Sequence, residues 1–112
     1  MDDCLFCKIV AGDVPGDVVH TTERTVAFRD INPQAPLHVL VVPRDHYPNA
    51  AALATGDPDT SAELVRTADA VATAEGYDDY RLLFNTGAGA GQVVFHAHLH
   101  VLAGRSFGWP PG

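Results

Sequence analysis

The stretch FHAHLHVL, residues 95–102, is the most informative part of the sequence. Histidines alternate in it with apolar residues, and successive side chains of a β-strand point to opposite faces of a sheet. The pattern therefore predicts a strand over residues 93–102 whose apolar side chains enter a core on one face. Three imidazoles share the other face, those of His96, His98 and His100.

Three interpretations of this histidine face follow from the residues alone. The strand could be merely solvated, its imidazoles could hold a zinc ion with an open coordination position, or a neutral imidazole could attack phosphorus. The glycine-rich segment 85–92 leads directly into the strand, where its backbone N–H groups can face an anion. It is not a P-loop, because no Gly-Lys-Ser/Thr follows and it enters a strand instead of a helix. The loop favours phosphate chemistry.

Periodicity predicts the remaining elements. Apolar residues at helical spacing indicate a short N-terminal helix over 4–11 and one long helix over 60–74. Besides 93–102, strands are predicted over 18–21, 25–29, 38–42 and 81–85. The two prolines of the tail, WPPG at 109–112, exclude a regular element there. Five strands joined mostly by short turns, with two helices, predict an α+β fold with an antiparallel sheet.

Length and composition narrow the function classes. A chain of 112 residues, 46% hydrophobic and 19% charged, predicts a single globular domain over 1–112. A net charge of -7 without any Lys or Arg run argues against polynucleotide binding, although a single nucleotide remains possible. No apolar stretch approaches the roughly 18 residues of a membrane span, and the acidic start Met1-Asp2-Asp3 is unlike a signal peptide. We therefore expect a cytoplasmic protein.

Residues 96–102 match the motif His-φ-His-φ-His-φ-φ, with φ apolar, and the chain thereby resembles the histidine triad (HIT) superfamily. The resemblance continues through 28–38, 42–46, 91–92 and 109–112, so it covers nearly the whole chain. The QAP and WPPG segments are most similar to the Hint branch of nucleoside phosphoramidases. The resemblance implies a HIT-like fold and a homodimer.

The same resemblance implies an activity. His98 matches the nucleophile that attacks the α-phosphate of a purine nucleotide, adenosine above all, and forms a nucleotidyl-histidine that water hydrolyses. His100, His38 and Asn85 match residues that assist it. Asp30 matches the carboxylate that accepts the ribose hydroxyls. Walls around the base are implied for Leu5, Phe6, Ile9, Phe28, Ile31 and Leu40, each of which is equally compatible with an ordinary core position. Further substrate positions are implied for Gly91, Gln92, Val93 and, from the partner subunit, Trp109.

Val93 departs from the family pattern. Hint proteins commonly carry a serine there whose hydroxyl assists the leaving amine, and valine keeps only the backbone N–H. Three alternatives therefore stand beside a phosphoramidase: a dinucleoside polyphosphate hydrolase, a catalytically weak nucleotide-binding or interaction module, and a metal-dependent hydrolase.

Cys4 and Cys7 form a second candidate site. Two thiols one helical turn apart are compatible with zinc binding, with reduced buried thiols or with a redox pair. Bacterial relatives with this Cys-x-x-Cys bind structural zinc through two further histidines. The resemblance assigns these ligands to His46 and His96. His20 receives no role.

Overall fold

A computed structural model of the protein describes residues 4–112. Its helices are α1 (Leu5–Ala11), α2 (Ala50–Gly56) and α3 (Pro58–Ala74), and its strands are β1 (Val18–Thr21), β2 (Thr25–Arg29), β3 (Leu37–Pro43), β4 (Arg81–Leu83) and β5 (Leu99–Ala103). A 3₁₀ turn covers Ala88–Ala90.

The five strands form one antiparallel sheet in the order β1-β2-β3-β5-β4. This arrangement confirms the predicted α+β class. In the pairing of β3 with β5, His38 lies opposite Leu102 and Leu40 lies opposite His100. Since paired residues share a face of the sheet, His38, Leu40 and His100 project to the same side.

Each face of the sheet carries its own apolar cluster. On one face α3 contributes Leu64, Ala68 and Val71, which pack against the inward side chains of β3 and β5. On the opposite face α1 lies across the sheet, and its Phe6 ring meets Phe28 edge-on at 5.3 Å between centroids. The histidines of the sheet face α1, so α1 and β5 enclose the region in which the candidate chemistry must occur.

Side-chain capping sets where α3 begins. The carboxylate of Asp57 accepts hydrogen bonds from the Thr60 backbone N–H at 3.2 Å and from the Thr60 hydroxyl at 2.6 Å. Pro58 occupies the first turn, where its missing N–H removes no helical hydrogen bond. The helix therefore starts two residues before the predicted position.

The predicted strand over 93–102 is only partly correct. Ladder pairing begins at Leu99, opposite Val41, and residues 93–98 are irregular. The chain there is held by other partners, because the Ala97 N–H donates to the Tyr47 carbonyl at 2.7 Å instead of to a strand. His96 and His98 consequently lie before β5, and only His100 lies within it. The strand predicted over 81–85 likewise ends at Leu83.

Helix α2 was not predicted. Only Leu53 of its seven residues is buried, so the segment has no apolar stripe from which a helix could be recognised. The Asn49 side chain begins it by accepting the Ala52 N–H at 2.9 Å. Within residues 4–112, none of the helices is long and apolar enough to span a membrane.

Candidate active site and metal centre

A cavity of about 780 Å³ opens between α1, the end of β2 and the loop that precedes β5. Most of its surface is apolar, and its polar lining includes two imidazoles, an amide and a carboxylate. The residues in its wall that the sequence suggested are Leu5, Phe6, Ile9, Phe28, Asp30, Ile31, Leu40, Asn85, Gly91, Val93, His98 and His100.

His98 is 7% exposed and lies in the cavity wall. Its Nδ1 lies 2.8 Å from the His96 carbonyl oxygen, which can only accept, so Nδ1 carries the proton. Nε2 is left with its lone pair. Burial lowers the pKa of His98, which keeps the ring neutral. The Phe6 ring meets the imidazole edge-on at 5.0 Å between centroids and restricts its orientation.

His38 and His100 form a hydrogen-bonded pair whose proton positions follow from their partners. The Gln34 backbone N–H donates to His38 Nδ1 at 3.0 Å, so His38 carries its proton on Nε2. That Nε2–H donates to His100 Nδ1 at 2.9 Å, which places the His100 proton on Nε2. His100 Nε2 is buried and has no partner among residues 4–112. His100 therefore offers the cavity an unsatisfied N–H donor.

The pKa values of this pair are depressed. Burial, reinforced by the charges that His98 and His38 would carry, lowers the pKa of His100 to about 4. Burial also lowers the pKa of His38, partly opposed by the Asp30 carboxylate, whose Oδ2 lies 3.5 Å from His38 Nε2. At neutral pH all three rings are neutral, each with one N–H and one lone pair.

The glycine-rich loop is fastened by Gln92. Its side-chain amide donates to the carbonyls of Pro48 at 2.7 Å and Val94 at 3.1 Å, and its Oε1 accepts the Gly87 N–H at 2.8 Å. Gly91 has a φ of +95°, a conformation that favours glycine, and borders the cavity. Gln92 thus shapes the loop from behind, with its side chain outside the cavity lining.

A second cluster of titratable side chains lies on the far side of His96. The ligand atoms of Cys4, Cys7, His46 and His96 all lie within 4.8 Å of one another. His96 Nε2–H donates to the Pro43 carbonyl at 2.9 Å, so its Nδ1 has the lone pair. That Nδ1 lies 3.3 Å from Cys4 Sγ, 3.4 Å from Cys7 Sγ and 3.2 Å from His46 Nδ1.

This geometry fits a tetrahedral metal ion. One lone pair cannot serve three donors well, whereas four ligand atoms around a zinc ion lie roughly 3.3–3.8 Å apart. The pKa of Cys7 is raised to about 11 by burial and by the neighbouring Cys4 thiol, so without a cation the thiol stays protonated. Two thiols and two imidazoles are also the donor set that zinc prefers.

A metal held by the three triad imidazoles together does not fit the structure. Both His96 nitrogens are committed, Nδ1 to the thiol cluster and Nε2 to a carbonyl. Asp30, His38 and His100 also converge, but His38 Nε2 carries a proton there and cannot ligate. The cavity wall and the metal cluster therefore divide the triad, with His98 and His100 on one side and His96 on the other.

A family model described as HIT domain matches residues 11–107. The chain belongs to this HIT family. Among solved structures it is similar to a HIT family hydrolase from Legionella pneumophila, with 45% identity, a TM-score of 0.93, and coverage of 98% of this chain and 100% of the other. A hypothetical histidine triad nucleotide-binding protein from Sulfolobus tokodaii shares 36% identity, with a TM-score of 0.77 over 88% of this chain and 67% of that one. A 14 kDa zinc-binding protein of Zea mays is 40% identical over 111 residues, covering 96% of this chain and 87% of the relative.

Two suggested substrate residues of this HIT protein lie apart from the cavity. Trp109, 85% exposed, belongs to the C-terminal tail and does not line it, and the Gln92 side chain lies behind the loop. Conversely, residues 15–17 and Val94 line the cavity without having been suggested. They carry no recognisable chemical group, so only a three-dimensional arrangement could reveal them.

Proposed function

We propose that this HIT protein is a hydrolase or transferase that acts on the α-phosphate of a purine nucleotide through a covalent intermediate on His98 Nε2. The observation that carries the proposal is the Nδ1–H of His98 donating to a carbonyl at 2.8 Å, which leaves Nε2 as a nucleophile at the cavity wall. The nucleotide class is supported by the relatives, one of which is described as nucleotide-binding.

The reaction proceeds by double displacement. The Nε2 lone pair forms a bond to phosphorus, and the bond from phosphorus to the leaving group breaks, the electron pair departing with that group. The ring now carries a positive charge, which the His96 carbonyl stabilises through Nδ1–H. Water then attacks phosphorus, the P–N bond breaks, the electron pair returns to Nε2, and the water proton passes to solvent.

His100 supplies the donor that this reaction needs. Negative charge builds on the phosphoryl oxygens during attack, and the buried Nε2–H of His100 has no competing partner. Its ring centroid lies 5.0 Å from that of His98, so both can reach one phosphoryl group. A preorganised donor in a cavity shielded from water stabilises a developing oxyanion strongly.

The remainder of the cavity suits a nucleoside. The aliphatic and aromatic walls, Phe6 and Phe28 among them, can enclose a purine base. Asp30 can accept the ribose hydroxyls, since its Oδ1 holds only the Asn32 N–H at 2.8 Å. Nothing in these apolar walls distinguishes one purine from another, so adenosine specificity follows from the resemblance.

The leaving group separates two versions of the proposal. A phosphoramidate releases an amine, which must gain a proton as it departs. Val93, 84% exposed at the cavity edge, offers no side-chain proton donor. A dinucleoside polyphosphate releases a phosphate that needs no such help, and this observation favours it as the second candidate.

We also propose that the Cys4, Cys7, His46 and His96 cluster holds a structural zinc ion. The ligand spacing described above and the zinc-binding relative of Zea mays support it. Bound zinc would supply a rigid cross-link between α1 and the segment before β5, and no catalytic step passes through it. A homodimer in which Trp109 approaches the partner's cavity is the remaining proposal, compatible with the exposure of that side chain.

The test is a comparison of wild-type protein with His98→Ala. With an adenosine phosphoramidate and a diadenosine polyphosphate, both radiolabelled at the α-phosphate, rapid quenching should trap an acid-labile nucleotidyl-protein in the wild type only. His98→Ala should lose turnover by at least about 10³-fold while still binding nucleotide. Retained turnover in the variant would refute the mechanism. Tight binding without labelled intermediate in the wild type would instead identify a nucleotide-binding module.

A further inference from the structure

The turn after β5 is packed tightly against the loop that precedes β3. Gly104 has a φ of +95°, and a Cβ there would lie 2.8 Å from Pro36 Cβ, so only glycine allows this approach. The next residue, Arg105, donates from Nε to the Gln34 carbonyl at 2.8 Å. The C-terminal end of the sheet thus holds Gln34 in place, more than sixty residues distant in sequence.

Gln34 is the origin of the proton arrangement in the histidine pair. Its backbone N–H fixes the tautomer of His38, and His38 in turn fixes the tautomer of His100. If the Gln34 N–H moved away, His38 Nδ1 could carry the proton. His38 Nε2 would then accept from His100 Nδ1–H, and His100 would present a lone pair to the cavity instead of a donor.

We propose that Arg105 is a positioning residue that holds the Gln34 peptide against His38 and thereby keeps the donor N–H of His100 directed at the cavity. The kinetic consequence of this assignment rests on the proposed function, whereas its structural consequence does not.

The Arg105 side chain is itself held in one orientation. Its guanidinium lies over the Phe107 ring at 4.3 Å from the centroid, and one terminal nitrogen donates to the Ser106 carbonyl at 2.9 Å. The other tie of Gln34 is local, from its side-chain amide to the Asn32 carbonyl at 3.0 Å within the same exposed loop. Arg105 is therefore the contact that connects this loop to the sheet through a charged donor.

The contact also influences the proton affinity of His38. An N–H that donates to Nδ1 stabilises the neutral ring and opposes protonation. The other polar groups facing His38 are the Asp30 carboxylate, at 3.5 Å, and His100 on β5. With the donor lost, the Asp30 charge would act unopposed, and His38 would become protonated at higher pH.

The experiment compares Arg105→Met with Arg81→Met in the zinc-loaded full chain. Methionine keeps a long side chain against Phe107 but has no donor. Arg81 is the matched control, because it also lies over the Phe107 ring, at 5.0 Å, yet donates to Gly108 and not to Gln34. Long-range ¹H–¹⁵N spectra of the histidine rings report directly which nitrogen carries each proton.

We expect wild type and Arg81→Met to show His38 and His100 both protonated on Nε2. Arg105→Met should show a mixture of tautomers at both rings, a fall in kcat of about tenfold, and an acidic limb of the kcat profile moved up by about one pH unit. Arg105→Lys, which restores a donor, should recover most of the wild-type behaviour.

Identical ring spectra and pH profiles in Arg105→Met and Arg81→Met would overturn the assignment, whatever the change in overall rate. Should Arg105→Met fail to fold, the wild-type spectrum alone decides, because a His38 ring protonated on Nδ1 contradicts the proposal. If the spectra behave as expected but His98→Ala remains active, the proposed function fails and the positioning role of Arg105 stands.

Discussion

At the scale of single residues, the histidines differ because their partners differ. Carbonyl oxygens fix the proton of His98 on Nδ1 and that of His96 on Nε2, and a backbone N–H fixes that of His38. Identical side chains thereby become a nucleophile, a candidate metal ligand and a relay. The sequence motif supplies the imidazoles, and only the neighbouring backbone assigns their roles.

His100 should make the stability of the protein depend on pH. Its pKa is about 4 in the folded chain and about 6.5 when unfolded, so between these values the unfolded state binds more protons. Stability from this group is therefore full above pH 6.5 and is lost as the pH falls toward 4. Between pH 7 and pH 5 we expect a loss of about 2 kcal/mol.

Urea unfolding of wild type and His100→Asn at both pH values measures this effect. The variant lacks the titrating ring but keeps the other histidines and the metal ligands, so its loss of unfolding free energy between pH 7 and pH 5 should be smaller by about 2 kcal/mol. Equal losses in the two proteins would show that His100 is not buried in its neutral form.

At the scale of elements, helix α2 illustrates how one contact can hold a segment without periodicity. Leu53 is fully buried between α2 and the sheet, and the other residues of this short helix are largely exposed. Replacing Leu53 by alanine should lower the free energy of unfolding by about 3 kcal/mol, through lost burial and the cavity that remains.

Val65 on α3, 48% exposed, is the control for that substitution. Val65→Ala should change the free energy of unfolding by less than about 0.5 kcal/mol. Both variants are measured by urea denaturation with zinc present. A cost for Leu53→Ala as small as that of Val65→Ala would mean that α2 is not anchored through this side chain.

At the scale of the whole molecule, the proposed zinc ion joins parts of the chain that are far apart in sequence. Its ligands come from α1, from the segment after β3 and from the segment before β5. Because α1 also supplies Leu5, Phe6 and Ile9 to the cavity, metal binding and nucleotide binding share one structural element.

Zinc should therefore stabilise the fold through His46 and not through His20. At about 100 times its Kd, zinc raises the free energy of unfolding by about 2.7 kcal/mol. We expect this rise, measured as a shift in Tm, in wild type and in His20→Ala, whose ring lies outside the metal cluster. His46→Ala should lose most of the shift. It should also bind nucleotide less tightly, since α1 is then less firmly held.

A zinc-dependent Tm shift of equal size in all three proteins would contradict the ligand assignment. A shift confined to wild type and His20→Ala, with unchanged nucleotide affinity in His46→Ala, would support the metal site but separate it from the cavity.

The sequence by itself determined the α+β class, the antiparallel sheet and the membership of the chain in the HIT family, because periodicity and the spacing of the histidines are local properties. It did not determine where β5 begins or that α2 exists, since both depend on contacts such as Ala97 with Tyr47. Tertiary structure alone decided which nitrogen of each imidazole carries the proton. Those protons are placed by backbone groups that distant segments bring within hydrogen-bond distance, and such groups have no signature in the sequence.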